Sequence, residues 1–105
     1  MAIEADSVSR MNFSDVATRK RIGPVTPGEV LREEFLIPLG LSARALAREL
    51  GVASNRVTMI VAGERSITAE TAILLGKRFG TSPEFWLNLQ MMHDLEEARR
   101  HMRAA

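Results

Sequence analysis

The chain has 105 residues, 46% apolar and 26% charged, with no cysteine, so one domain around one core is expected, without disulfides, thiolate metal sites or a cysteine nucleophile. Fourteen basic against 13 acidic side chains leave a net charge of +1, which excludes a broadly polycationic surface. No apolar run approaches the roughly 20 residues of a membrane span, and Met1 to Arg10 holds no apolar signal core, so a cytoplasmic protein without a membrane role is expected.

Residues 1–25 lack apolar periodicity and read as a flexible N-terminal arm, with room for a turn or two of helix over 13–21 and an alternative start at Met11. The consecutive Arg19, Lys20 and Arg21 form a basic run of the kind that is ordinarily solvated. Periodicity begins at Thr26-Pro27-Gly28-Glu29, which combines a capping threonine, a proline at the first helical position and a glutamate at the third. This predicts a first helix over about 27–36, with Leu31 and Phe35 inward and Pro38 as its stop. Its Glu29, Glu33 and Glu34 read as a solvated acidic face, not as paired catalytic carboxylates.

Ser42 opens a second helix whose Leu46, Ala47 and Leu50 share a face, and Gly51 ends it. After Val52 and Ala53 a third helix is predicted from Ser54 to Ala62, closed by Gly63. Two short helices joined by a tight glycine turn outline a helix-turn-helix. In the third helix Val57, Ile60 and Val61 fall within one arc of about 100° and should face the core. Asn55, Thr58, Met59 and Ala62 lie opposite, and Ser54 stands at the end that such a helix presents to base edges. Asparagine can pair bidentately with adenine, serine and threonine serve several bases, and methionine can touch a thymine methyl, so Ser54, Asn55, Thr58 and Met59 are the candidate base contacts. Ser42, Arg44, Arg56 and Arg65 flank them as candidate phosphate contacts. The charge distribution agrees, since residues 42–65 carry four arginines against two glutamates.

Thr68 caps a fourth helix containing Ala72, Leu75 and Phe79 and ended by Gly80. Thr81-Ser82-Pro83-Glu84 reads as a second capping box that opens a long fifth helix. Two apolar stripes run along it. Phe85, Leu89 and Met92, helped by Trp86, are expected to close the core, while Leu87, Met91 and Leu95 are expected to meet a symmetry mate in a homodimer. Beyond Asp94, residues 96–105 are mostly charged and read as an exposed or frayed helix end. The expected organisation is therefore an arm over 1–25, a DNA-binding domain over 26–95 and a charged helix end over 96–105.

Enzymatic chemistry is not expected. His93 and His101 stand eight residues apart, about 12 Å along a helix, too far for one metal ion. The sequence contains no glycine-rich phosphate loop, nucleophile elbow or zinc-ligand motif, so neither a cofactor nor a metal is predicted.

Three blocks carry a resemblance: Pro27-Gly28-Glu29-Val30-Leu31-Arg32-Glu33-Glu34-Phe35-Leu36, Leu46-Ala47-Arg48-Glu49-Leu50-Gly51-Val52, and Gly80-Thr81-Ser82-Pro83-Glu84-Phe85-Trp86-Leu87-Asn88-Leu89-Gln90. Through them, and through Pro38-Leu39-Gly40-Leu41-Ser42, residues 27–90 resemble the HigA (VapI-like) antitoxins, a branch of the phage-repressor-like XRE helix-turn-helix family. The resemblance implies an all-α, five-helix phage-repressor-like domain and a homodimer on a palindromic operator, usually that of its own promoter. It also implies a HigB-type toxin partner that cleaves messenger RNA on the ribosome. Position by position it places base contacts on Ser54, Asn55 and Met59 and backbone contacts on Ser42, Arg44, Arg56 and Arg65. The chain departs from the family at Ala53, where a serine or threonine commonly caps the recognition helix, a loss of about 1 kcal/mol. It departs again at Glu64, where lysine is frequent and attracts a phosphate. Two other readings stay open: a stand-alone regulator of the same fold without a toxin, and an interaction module that has lost DNA binding.

Overall fold

The computed structural model describes residues 25–104, which form five helices and, among these residues, no strand. This is the all-α class expected. The predicted arm, with Met11, residues 13–21 and the basic run Arg19 to Arg21, lies outside the described residues except for Val25.

Helix α1 consists of three consecutive stretches: Pro27–Val30, a π-helical Leu31–Leu36, and Ile37–Leu39. Its capping box is reciprocal, because the Glu29 N–H donates to Thr26 Oγ1 at 3.0 Å and the Thr26 N–H to Glu29 Oε1 at 3.1 Å. Pro38 does not stop the helix, contrary to expectation; the helix ends one residue later, at Leu39, with Gly40 as its cap. In a regular α-helix a proline ring collides with the carbonyl four residues back. Here the ladder widens just before it, with the Ile37 N–H reaching the Arg32 carbonyl five residues back. Pro38 then occupies the first turn of the stretch that follows, where a missing N–H matters least.

Three helices follow in close succession: α2, Ala43–Leu50; α3, Ser54–Val61; and α4, Ala69–Phe79. Helix α5, Pro83–Ala104, is the longest at 22 residues. One core unites them, in which Leu31, Leu46, Val57, Ile60, Leu75 and Trp86 are buried. Phe35 packs against Phe79 and Trp86 in tilted contacts, with ring centroids 4.8 and 5.1 Å away. The capping box expected at Thr81 is not formed as such. Ser82 is the cap, accepting from the Phe85 N–H at 3.1 Å, while the Thr81 hydroxyl oxygen accepts from the Trp86 indole N–H at 2.7 Å. A buried indole needs that partner more than the helix end needs a second one.

Helix α5 also corrects the predicted core stripe. Met92 is 47% exposed, and the face turned inward runs through Trp86, Leu89 and Gln90 to the half-buried His93, with Phe85 and Leu87 half-buried on its edges. Pattern reading rotated the stripe because it counted only apolar residues, whereas the polar Gln90 and His93 sit on the true inner face. Of the two alternatives for the charged end, exposed or frayed, the structure has the first: α5 continues unbroken to Ala104, exposed from Glu97 onward. No helix of the described residues is long and apolar enough to cross a membrane.

Candidate nucleic-acid interface

The geometry of the candidate reader starts at Gly51. At φ 75° this residue takes the left-handed conformation that ends α2, and its N–H donates to the Arg48 carbonyl while that of Val52 donates to Ala47. The chain reverses within three residues, and α3 begins at Ser54 with Leu46 and Ala47 of α2 and Val57 and Ile60 of α3 in one buried cluster. That shared burial aims the opposite side of α3 outward. Ser54 and Asn55 are exposed at its N-terminal end, and Thr58 and Met59 are half-buried beside them. Ala53, the residue before the helix, provides no side-chain cap.

Ser42, Arg44 and Arg65 are all exposed. Ser42 Oγ accepts from the Ala45 N–H at 3.0 Å, which uses its oxygen and leaves its hydroxyl proton to donate. Arg44 and Arg65 form no ion pair among the described residues. Arg56 differs from both. It is half-buried on the flank of α3, its Nη1 donating to Thr71 Oγ1 at 3.4 Å and standing 3.7 Å from Glu70 Oε1, both at the start of α4. Glu64 is exposed next to Arg65.

Three supporting contacts went unpredicted. A Cβ at Gly28 would fall 1.8 Å from the Ile60 carbonyl oxygen, so α1 rests its backbone directly on the end of α3. The buried Gln90 accepts from the Ile67 N–H at 2.8 Å and donates to Asp94 Oδ1 at 3.0 Å, fastening the loop that carries Arg65 to α5. Arg78 of α4 is paired with Glu49 of α2. An amide beside the buried Trp86 and Leu89 is a readable hint of the second contact, but nothing local announces the partners of Gly28 or Arg78.

The predicted dimer residues divide. Met91 and Leu95 are 52% and 44% exposed, whereas Leu87 packs at the edge of the core. At about 100° per residue, Met91, Leu95 and the 74% exposed Met102 lie on the side of α5 away from Trp86. They make an apolar strip that nothing among the described residues covers. Among the described residues no group of three or more histidine, aspartate or glutamate side chains could hold a metal ion.

Residues 31–86 match the helix-turn-helix family HTH_3. The chain is 45% identical over 84 residues to virulence-associated protein I of Dichelobacter nodosus, which spans 80% of this chain and 78% of that protein. It is 44% identical over 82 residues to antitoxin HigA-1 of Vibrio cholerae, spanning 78% of this chain and 75% of that one. Among solved structures, Pseudomonas aeruginosa antitoxin HigA with the higBA promoter superposes with a TM-score of 0.73 at 46% identity, covering 74% of this chain and 85% of that chain.

Proposed function

The chain belongs to the helix-turn-helix family HTH_3, and from that membership we propose that it is a sequence-specific DNA-binding antitoxin of the HigA type. It represses its own operon and neutralises a HigB-type, messenger-RNA-cleaving toxin. The observation that carries this reading is the outward face of α3, held by a three-residue turn on α2, in a chain 46% identical to an antitoxin whose structure contains its promoter.

Two copies of α3 enter successive major grooves of a palindrome, about 34 Å apart. Ser54, Asn55, Thr58 and Met59 read bases, while Ser42, Arg44, Arg56 and Arg65 set the register on phosphates. At Ser42 one hydroxyl serves twice, since the oxygen caps α2 and the proton points a phosphate to the same helix end. The DNA-binding domain spans 26–95, and the homodimer forms through Leu87, Met91 and Leu95 of α5, a surface supported by the exposure of the last two. The process requires no catalytic step, cofactor or metal, and takes place in the cytoplasm.

Titration of the purified protein against the promoter upstream of its own gene, beside a scrambled duplex, tests the proposal. Binding about 10³-fold tighter to the promoter, and weakening steeply with salt, is the expected result. Equal and weak binding to both duplexes would overturn it in favour of a module that contacts only proteins, the outcome that Ala53 and Glu64 would explain.

A further inference from the structure

We propose that Glu70 sets the affinity of the DNA interface by competing with the DNA backbone for the Arg56 guanidinium. The inference rests on the reading of α3 as the DNA-docking helix with Arg56 beside a phosphate. Both contacts of Arg56 are made by Nη1, to Thr71 Oγ1 at 3.4 Å and toward Glu70 Oε1 at 3.7 Å. The first belongs to the fold. Thr71 is 2% exposed, and its hydroxyl oxygen also accepts from the Thr68 hydroxyl at 3.2 Å, so it is fixed in place. The second does not. The Glu70 side chain is 77% exposed and the pair is long, a geometry that contributes little to stability. Its consequence arises when a phosphate approaches, because the phosphate must either displace the carboxylate or accept a negative charge at its side. The start of α4, which by its backbone dipole attracts anions, thus carries a side chain that repels them. Since phosphates are the same in every sequence, Glu70 lowers affinity for all DNA and leaves base preference alone.

The test compares the wild-type chain with Glu70→Gln, Arg56→Gln and the double variant on promoter and scrambled duplexes across a salt series, after thermal unfolding has confirmed that each folds. If Arg56→Gln does not fold, Arg56→Met keeps the packing of the side-chain stem. Glu70→Gln is expected to bind both duplexes about 3- to 10-fold more tightly at low salt, with the slope of log K against log salt steeper by up to about 0.9, and to lose that gain when Arg56 is absent. Weaker binding by Glu70→Gln would overturn the proposal, making Glu70 a group that holds Arg56 in place. A gain that persists without Arg56 would also overturn it, as a general charge effect. No change for Glu70→Gln, with Arg56→Gln weakened, removes the competition and leaves Arg56 as a backbone contact. Loss of promoter binding by the wild-type chain removes the underlying reading itself.

Discussion

A methyl group added at residue 28 would meet the Ile60 carbonyl oxygen, and backbone on both sides leaves neither partner a rotamer with which to yield. Gly28→Ala is therefore expected to destabilise the fold by about 1 to 3 kcal/mol, read as a lower midpoint of urea unfolding. A parent-like midpoint would mean that α1 does not rest on α3 in this way. Asn55 represents the opposite case. Being exposed, it should leave stability within about 0.5 kcal/mol when replaced by alanine. Promoter binding should fall by about 1 to 3 kcal/mol at a single base position, and equal losses on scrambled DNA would count against a readout role. The difference between these residues is also a difference in legibility. A helical wheel separates Asn55 from Val57 because both answers lie within one turn, whereas the partners of Gly28, Arg56 and Arg78 come from other helices and have no local signature.

Among the elements, caps were the most readable feature. Thr26, Ser42 and Thr68 each accept, as expected, from a backbone N–H three residues ahead, whereas the cap of α5 is Ser82, one residue after the expected Thr81. Side chains that compete for their own backbone leave this local mark. Helix α3 alone opens on a residue without such an oxygen, yet Ala53 holds φ −62° and ψ 145°, the extended conformation of a cap. Ala53→Ser should therefore stabilise the protein by about 1 kcal/mol and raise Tm by about 4 to 8 °C, and an unchanged melt would show that the first turn of α3 is satisfied by other means. Two departures from the sequence pattern have different physical causes. An apolar count alone places the inner face of α5 one position off, because two polar groups, Gln90 and His93, lie on that face. A proline stops a helix only where the ladder is regular, and the π-helical stretch before Pro38 removes that premise.

For the molecule as a whole, the proposed homodimer rests on the outer side of α5. Met91→Glu places a charge at the N-terminal end of the strip formed by Met91, Leu95 and Met102, at a position exposed enough for the subunit to keep its fold. A monomer by light scattering is expected, together with promoter binding weakened by about 10²-fold as the two half-sites cease to be engaged as one. A variant that remains dimeric would show that the copies meet elsewhere. The bond between Ile67 and Gln90 gives the same helix an internal reporter. The Ile67 amide proton is held by a side chain of α5 and by no helix of its own, so its exchange with deuterium proceeds only when α5 lifts from the loop. Its protection factor therefore measures, at one amide, how often that helix departs, and anything that clamps α5 from outside will slow the exchange of a proton it never touches.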